Sequence, residues 1–505
     1  MNQLLTYFSL LLLSIIVLAC NSENVSKKNI VETILTEKNS YYYVDVNKYP
    51  VGNRSLPVGV FDSGTGGLTV LDAILNYDKF DNGLNTFLPK GDNKRDFDRE
   101  GFVYFGDHAN MPYGEYEANK NTALLKEHVI KDVQFLLGNK YYQSPASKNY
   151  MNDKSQVKAI VIACNTATAF GKKDIEKFLE KAKLNIKVIG VIGAGVRGAL
   201  STINKSEDAS IAVMATAGTV SSMGYVESIN EQKVLLAYSG NLVVFQQAGI
   251  GLAGAIDGAK DYILNNASIP RTDYRGPSFN HSAAKINKKI LRRYNFDFAG
   301  SKMLFAGSLE NPDELQINSI ENYISYHVVS LMEQILTNKN APLLKTVILG
   351  CTHYPFYSDL FEKKFTELYN YKENGEYIYR KYMSEKINFI DPAENTSKEL
   401  YEYLYSNNLF TDISNPNHEF YISQPNVLNE SVTINEAGDF TYDYKYGRKP
   451  GNITEYVKCI PFSKKNLSQD VIEMLSTKTP LTFKYIVDFN RNNKKTQYLL
   501  EEEKL

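Results

Sequence analysis

From Pro57 onward the chain repeats one arrangement: a short apolar run, a small or reactive polar residue, then a stretch of helical period. The runs are Val58–Phe61 before Asp62, Phe102–Phe105 before Asp107, Ala159–Ala163 before Cys164, and Val188–Ile192 before Gly193. They continue with Ile211–Ala215 before Thr216, Leu242–Phe245 before Gln246, Val347–Leu349 before Cys351, and Ile387–Ile390 before Asp391. Unbroken apolar runs of this length predict strands buried on both faces, hence parallel sheets covered by helices. In open α/β sheets ligands gather at the carboxyl ends of the strands, where these polar residues fall. The expected fold is α/β: two doubly wound parallel-sheet domains with the active site in the cleft between them, plus a C-terminal appendage.

The boundaries read from this pattern are 56–204 with 358–424 for the first domain and 205–357 for the second. Residues 78–101 are polar and turn-rich and predict a surface loop. Beyond Tyr421 the texture turns to Thr, Tyr, Asn and Gly, with one amphipathic stretch at Leu467–Leu475, so 425–505 reads as small strands and one helix.

The amino end is different. Leu4 to Ala19 is nearly all apolar and would span about 24 Å as a helix, short of a bilayer core of roughly 30 Å. It suits a signal-peptide core better than a membrane span, so residues 1–20 are set apart from the fold. Its end, Val17-Leu18-Ala19-Cys20, resembles a bacterial lipobox, which implies lipidation at Cys20 and a membrane partner through that lipid. Met1-Asn2-Gln3 lacks the usual positive charge. Residues 21–55 read as a polar tether with local helix at Ile30–Leu35. Because Asn21 is not an aspartate, the analogy points to export and anchoring at the outer rather than the inner membrane.

Composition removes other classes. Hydrophobic residues at 43% and charged residues at 22% exclude wholesale disorder. A net charge of −1 without a basic run excludes a nucleic-acid footprint. Four cysteines, none in a CxxC pair, form no disulfide framework, and six histidines without HxxxH spacing predict no metal site.

Two of those cysteines end buried strands, in Ala163-Cys164-Asn165-Thr166 and Gly350-Cys351-Thr352-His353. A lone cysteine there is more often a small buried hydrophobe. As a pair they differ, because each precedes hydroxyl or amide residues that can hold a carboxylate, and a histidine stands two places after Cys351. A helix N-terminus or an imidazolium can favour a thiolate. Paired thiols from two domains suit a reaction that removes a proton from one face of a carbon and returns it to the other.

The sequence here resembles the bacterial glutamate racemases of the aspartate/glutamate racemase superfamily. The resemblance runs through Gly59-Val60-Phe61-Asp62-Ser63-Gly64-Thr65-Gly66-Gly67-Leu68, then Gly106-Asp107 with Pro112-Tyr113-Gly114. It continues through Ala163-Cys164-Asn165-Thr166-Ala167, Ala215-Thr216 with Gly218-Thr219, and Leu349-Gly350-Cys351-Thr352-His353-Tyr354-Pro355, covering roughly 56–425 by ordinary α/β-unit arithmetic. It implies cofactor-independent racemisation of an amino acid, with Cys164 and Cys351 as the two bases, Asp62 assisting the first and His353 the second. It also implies that Ser63, Tyr113, Gly114, Asn165, Thr166 and Thr352 hold the substrate, and that no pyridoxal phosphate, metal or flavin takes part. The aspartate racemases compared carry an acid at the His353 position, which tilts the substrate to glutamate. A second copy of the chain is a candidate partner.

Where relatives carry a glutamate, this chain reads Gly251-Leu252-Ala253-Gly254-Ala255-Ile256-Asp257, with Asp257 as the stand-in. Gly193–Gly198 and Gly249–Gly254 are formal GxGxxG matches, but the strand after the first ends in Ala215-Thr216 without the acid that a dinucleotide site needs. No Gly-Lys-Ser/Thr follows Asp62–Gly67, so a P-loop is excluded. Cys459 is expected to be a bystander. The rival reading is a lipid-anchored amino-acid-binding protein with a racemase-like cleft; a racemase for aspartate or another amino acid is the other.

Overall fold

The computed structural model describes residues 29–505 except 257, 309 and 415, so the Cys20 lipidation signal and Asp257 lie outside the described residues. All eight apolar runs form strands. Four build the first sheet: β1 (Val58–Asp62), β2 (Phe102–Gly106), β3 (Ala159–Ile162) and β4 (Lys187–Gly190). The next four build the second: β5 (Ala209–Ala215), β6 (Leu242–Ala248), β7 (Leu344–Gly350) and β8 (Met383–Ile390). The chain then returns to the first sheet with β9 (Glu419–Pro425) and β10 (Val457–Pro461). The strand orders are β10-β9-β2-β1-β3-β4 and β8-β7-β5-β6. Within these two sheets, among the described residues, every pairing is parallel except β9 with β10.

Each residue of β1, β2 and β5 is buried, as unbroken apolar runs require when helices cover both faces. The helix Thr122–Leu137 packs on β1 and β2, and Asn165–Lys181 on β3 and β4. The two lobes hold separate apolar cores, one running from Ile30 to Leu505 and the other from Ala212 to Met383.

Three expected boundaries change. Residues 358–424 do not return as a block to the first lobe, because β8 pairs in parallel with β7. The helix Ser358–Tyr369 is the crossover between them, and a β-α-β unit keeps both strands in one sheet. Nor is 21–55 a tether over its described part. Ile30, Ile34, Tyr41, Tyr42, Val44 and Tyr49 are buried in the first core, and Tyr49 Oη donates to the Val157 carbonyl at 2.7 Å. The third change concerns 425–505: it completes the first sheet through β10 and adds helices at Tyr442–Gly447, Gln469–Lys478 and Pro480–Asn492. Cys459 therefore sits in a buried strand rather than a loose tail.

The loop at 78–101 is tied down by aromatic packing, with Phe80 stacked on Tyr401 at 3.8 Å between ring centroids. Among the described residues, no helix is long and apolar enough to cross a membrane.

One buried ion pair clamps the base of the first lobe. Lys158 Nζ lies 2.6 Å from Glu100 Oε2 with both side chains about 1% exposed, and it also donates to the carbonyls of Arg54 and Leu409 at 2.8 Å. Removing one partner of such a pair leaves an uncompensated buried charge. Lys158→Met should therefore lower unfolding free energy by about 3–5 kcal/mol in urea titration. A loss below about 1 kcal/mol would mean that water already reaches Glu100.

Candidate active site

The carboxyl ends of β1, β3 and β7 converge on a cavity of about 380 Å³ between the lobes. From the first lobe it is lined by Asp62, Ser63, Gly64, Thr65, Gly66, Met111, Ala163, Cys164, Asn165 and Thr166. The second lobe contributes Thr216, Thr219, Thr352 and His353.

The turn after β1 is built by Asp62. Its Oδ2 accepts from the backbone N–H groups of Gly67 at 2.9 Å and Gly64 at 3.2 Å, curling the loop round the carboxylate. Gly67 has to be glycine, because a Cβ there would lie 2.5 Å from the Asp62 Cβ. The Tyr104 hydroxyl donates to the Gly64 carbonyl at 2.7 Å from below and holds the loop in place.

Cys164 is the N-cap of the helix Asn165–Lys181, with Sγ accepting from the Ala167 N–H at 3.4 Å. Its thiol lies 3.8 Å from the Ser63 hydroxyl. The cap N–H and Ser63 favour the thiolate, as a helix N-terminus does in general. Burial first, and then the neighbouring Asp62 carboxylate, outweigh them and push the thiol up to about 12. At neutral pH Cys164 is a neutral thiol, which fits it to give a proton.

Cys351 follows β7 and is 5% exposed; Thr352 and His353 line the cavity, whereas Cys351 itself does not and belongs to the apolar core of the second lobe. Its Sγ lies 3.6 Å from His353 Nδ1, so an imidazole is within reach of the thiol proton. Asn165 joins the two cysteine turns. Its Nδ2 donates to the Gly350 carbonyl at 3.1 Å, and its Oδ1 accepts from the Tyr225 hydroxyl at 3.1 Å.

Of the expected substrate-holding residues, Ser63, Asn165, Thr166 and Thr352 line the cavity. Tyr113 and Gly114 do not. Tyr113 is 2% exposed, with its hydroxyl between Asp107 Oδ2 at 2.6 Å and Asp132 Oδ2 at 2.7 Å. One hydroxyl proton cannot serve two carboxylates, and burial raises both Asp107 and Asp132. A protonated Asp132 donating to Tyr113, which donates to Asp107, satisfies the chain of bonds. Gly114 instead lets the lobes touch: a Cβ on it would lie 3.5 Å from the Gly218 Cα, and one on Gly218 3.3 Å from the Gly114 Cα. Both corrections share a cause, since sequence order places a residue near a strand end without saying which way it faces.

The residues not anticipated are Asp470, Val471 and Met474, which line the same cavity from the C-terminal helix. The amphipathic pattern at 467–475 signalled a helix but not its location. Cys459 lies near Tyr41 and Asp107, away from these lining residues. Among the described residues no group of three or more His, Cys, Asp or Glu side chains is arranged to hold a metal. A more open groove of about 470 Å³, between Asn29–Val31 and Lys177–Lys181, is lined by neither thiol nor imidazole.

Two parallel-sheet lobes, with a thiol from one and a cysteine–histidine turn from the other at a shared cleft, define the class of protein. No family model matches the chain. The glutamate racemase of Lactobacillus acidophilus is 25% identical over 369 residues, covering 72% of this chain and 87% of the relative. That of Oceanobacillus iheyensis is 33% identical over 183 residues, covering 36% of this chain and 50% of the relative. Among solved structures, glutamate racemase RacE1 from Bacillus anthracis shares 23% identity at a TM-score of 0.41, covering 73% of this chain and 88% of its own. The Francisella tularensis glutamate racemase, solved in complex with D-glutamate, shares 21% at 0.39, covering 78% and 95%. Over 369 residues, most of the motif-bearing stretch, the chain is therefore similar in sequence to a glutamate racemase.

The balance at Cys164 is open to measurement. Iodoacetamide should modify Cys164 slowly at pH 8 and faster as pH rises towards about 12, because only the thiolate reacts. Asp62→Asn removes the carboxylate that disfavours the thiolate while keeping an oxygen for the two glycine N–H groups. The rate at pH 8, followed by peptide mass spectrometry, should rise several-fold; an unchanged rate would leave burial as the sole cause.

Proposed function

We propose that the protein is a cofactor-independent amino-acid racemase that interconverts L- and D-glutamate by two-thiol proton transfer at Cα. The observation that carries this reading is the convergence of the two cysteine turns, one from each lobe, joined through Asn165 beside a cavity rich in hydroxyl and backbone N–H groups. The names of the relatives support the substrate, and the Cys351-Thr352-His353 turn agrees with it.

In one direction, Cys351 as thiolate, having passed its proton to His353, takes the Cα proton. The electron pair left on Cα delocalises into the adjoining carboxylate and the carbon becomes planar. Cys164 then delivers its thiol proton to the opposite face. Cys351 ends as thiol and Cys164 as thiolate, so the reverse direction starts from the state that the forward direction leaves. Burial and Asp62, which make Cys164 the resting donor, also make it a strong base once deprotonated. Because Cys351 belongs to the second core and does not line the cavity, its turn has to shift to present Sγ to the substrate. That recess is the one observation favouring the rival reading, an amino-acid-binding protein without turnover.

Racemisation followed by circular dichroism separates the two. Cys164→Ser and Cys351→Ser should each lower turnover by about 10²–10⁴-fold, the usual worth of a positioned proton-transfer group. Glutamate binding by calorimetry should survive in both. Near-normal turnover in either variant would sink the two-thiol scheme, and binding without turnover in the unaltered protein would favour the receptor.

We also propose that the protein is exported and anchored in the cell envelope by lipid on Cys20, a reading that rests on the apolar run and the Val17-Leu18-Ala19-Cys20 motif. The protein from its source cell should then sediment with membranes and carry acyl chains at that cysteine. Cys20→Ala should leave the amino-terminal segment uncleaved. Soluble native protein without lipid mass would overturn the anchor.

A further inference from the structure

The helix Gln469–Lys478 lies beyond the 56–425 stretch that carries the motifs, yet it forms one wall of the cavity. Several contacts hold it there. Ser468 caps it by accepting from the Val471 N–H at 3.3 Å, and Leu475 is fully buried. Val471, Ile472 and Met474 pack on the core of the first lobe. The next helix is pinned where the Thr482 N–H and hydroxyl both donate to Asp72 Oδ1, at 3.1 and 2.8 Å. At the far end Lys478 Nζ lies 5.7 Å from the centre of the Tyr357 ring, on the second lobe just past the Cys351 turn. The helix therefore spans the mouth of the cleft from one lobe to the other.

Asp470 is the charge that this wall brings in. Its side chain is exposed at the mouth and makes no hydrogen bond or ion pair among the described residues. The other carboxylate in the lining, Asp62, is already engaged by two backbone N–H groups and disfavours the Cys164 thiolate. Among the described residues no lysine or arginine lines the cavity. An amino acid entering such a site offers one ammonium group and one or more carboxylates. The carboxylates find hydroxyl and amide donors on Ser63, Thr166, Thr216 and Thr352, while the ammonium finds one uncommitted anion.

We propose that Asp470 is a substrate-positioning residue: its carboxylate pairs with the substrate ammonium and repels the carboxylates, so the amino acid enters in one orientation with Val471 and Met474 as an apolar wall beside it. This rests on the amino-acid-ligand reading of the site, but not on turnover. An acid in the first turn of a helix also favours that helix through its dipole, which is the purely structural role to be separated.

The test compares D-glutamate with glutarate, which has the same carboxylates and no ammonium, by calorimetry on the full-length protein and on Asp470→Asn. For an exposed pair the loss is modest, so glutamate should bind about threefold more weakly to the variant, while glutarate binds equally well or more tightly. Asp470→Glu should restore most of the glutamate affinity. Equal weakening of both ligands, or unchanged glutamate affinity with only a lowered melting temperature, would overturn the assignment. Absence of glutamate binding in the unaltered protein would overturn it too. Racemisation by the unaltered protein reports separately on the proposed function: glutamate-selective weakening without turnover leaves Asp470 in place and removes the racemase.

Discussion

Where the two lobes meet at the cleft, the side-chain amide of Asn165 ties the turn after β3 to the turn after β7. It gives an N–H to the last carbonyl of β7 and takes a hydroxyl proton from Tyr225, so one residue next to Cys164 is tied twice to the lobe that carries Cys351. An amide suits the task because it offers donor and acceptor in one plane. A disulfide between the turns would hold the lobes more strongly but would consume both thiols. Asn165 also lines the cavity, so the group that aligns the lobes is within reach of a ligand between them.

Around that tie, burial rather than local charge decides protonation. At Cys164 a helix N-terminus and a hydroxyl both favour the thiolate, and burial with Asp62 overrides them. The same balance holds beneath the site, where burial raises Asp107 and Asp132 on either side of the Tyr113 hydroxyl. Asp107 also accepts from Ser423 on β9 and from Asn110. A residue expected to touch substrate is thus part of the hydrogen-bonded floor that fixes the end of β2.

Most of the additions to the motif-bearing stretch gather on the first lobe. The amino-terminal segment packs on its core, the 78–101 loop stacks on the helix Pro392–Ser406, and β10 extends its sheet in antiparallel pairing with β9. The C-terminal helices lie on the same side, pinned through Asp72, and one of them reaches across to Tyr357. A lobe widened in this way supplies a rigid mount for one wall of the cleft.

The strands were legible in the sequence as unbroken apolar runs, and each of the eight runs forms one, although the edge strands β6 and β8 are only half-buried along most of their length. Ser63, Cys164, Asn165, Thr166, Thr352 and His353 were legible as cavity-lining residues because a polar side chain directly after a buried strand has few places to go but the sheet's carboxyl edge. Tyr113 and Gly114 were misread, since a loop residue's facing is set by what packs beneath it. The amphipathic pattern at 467–475 specified a helix with one apolar face, but a pattern carries no address. Nor did the polar texture of 21–55 show that Ile30, Ile34 and its tyrosines are buried. By itself the sequence determined the strands of the two sheets and the polar residues at their carboxyl ends, because these depend on local periodicity and on residues adjacent in the chain. The tertiary structure alone decided that β8 stays with β7, that Asn165 joins the lobes and that Asp470 lines the same cavity as Cys164, because each depends on contacts between segments far apart in sequence.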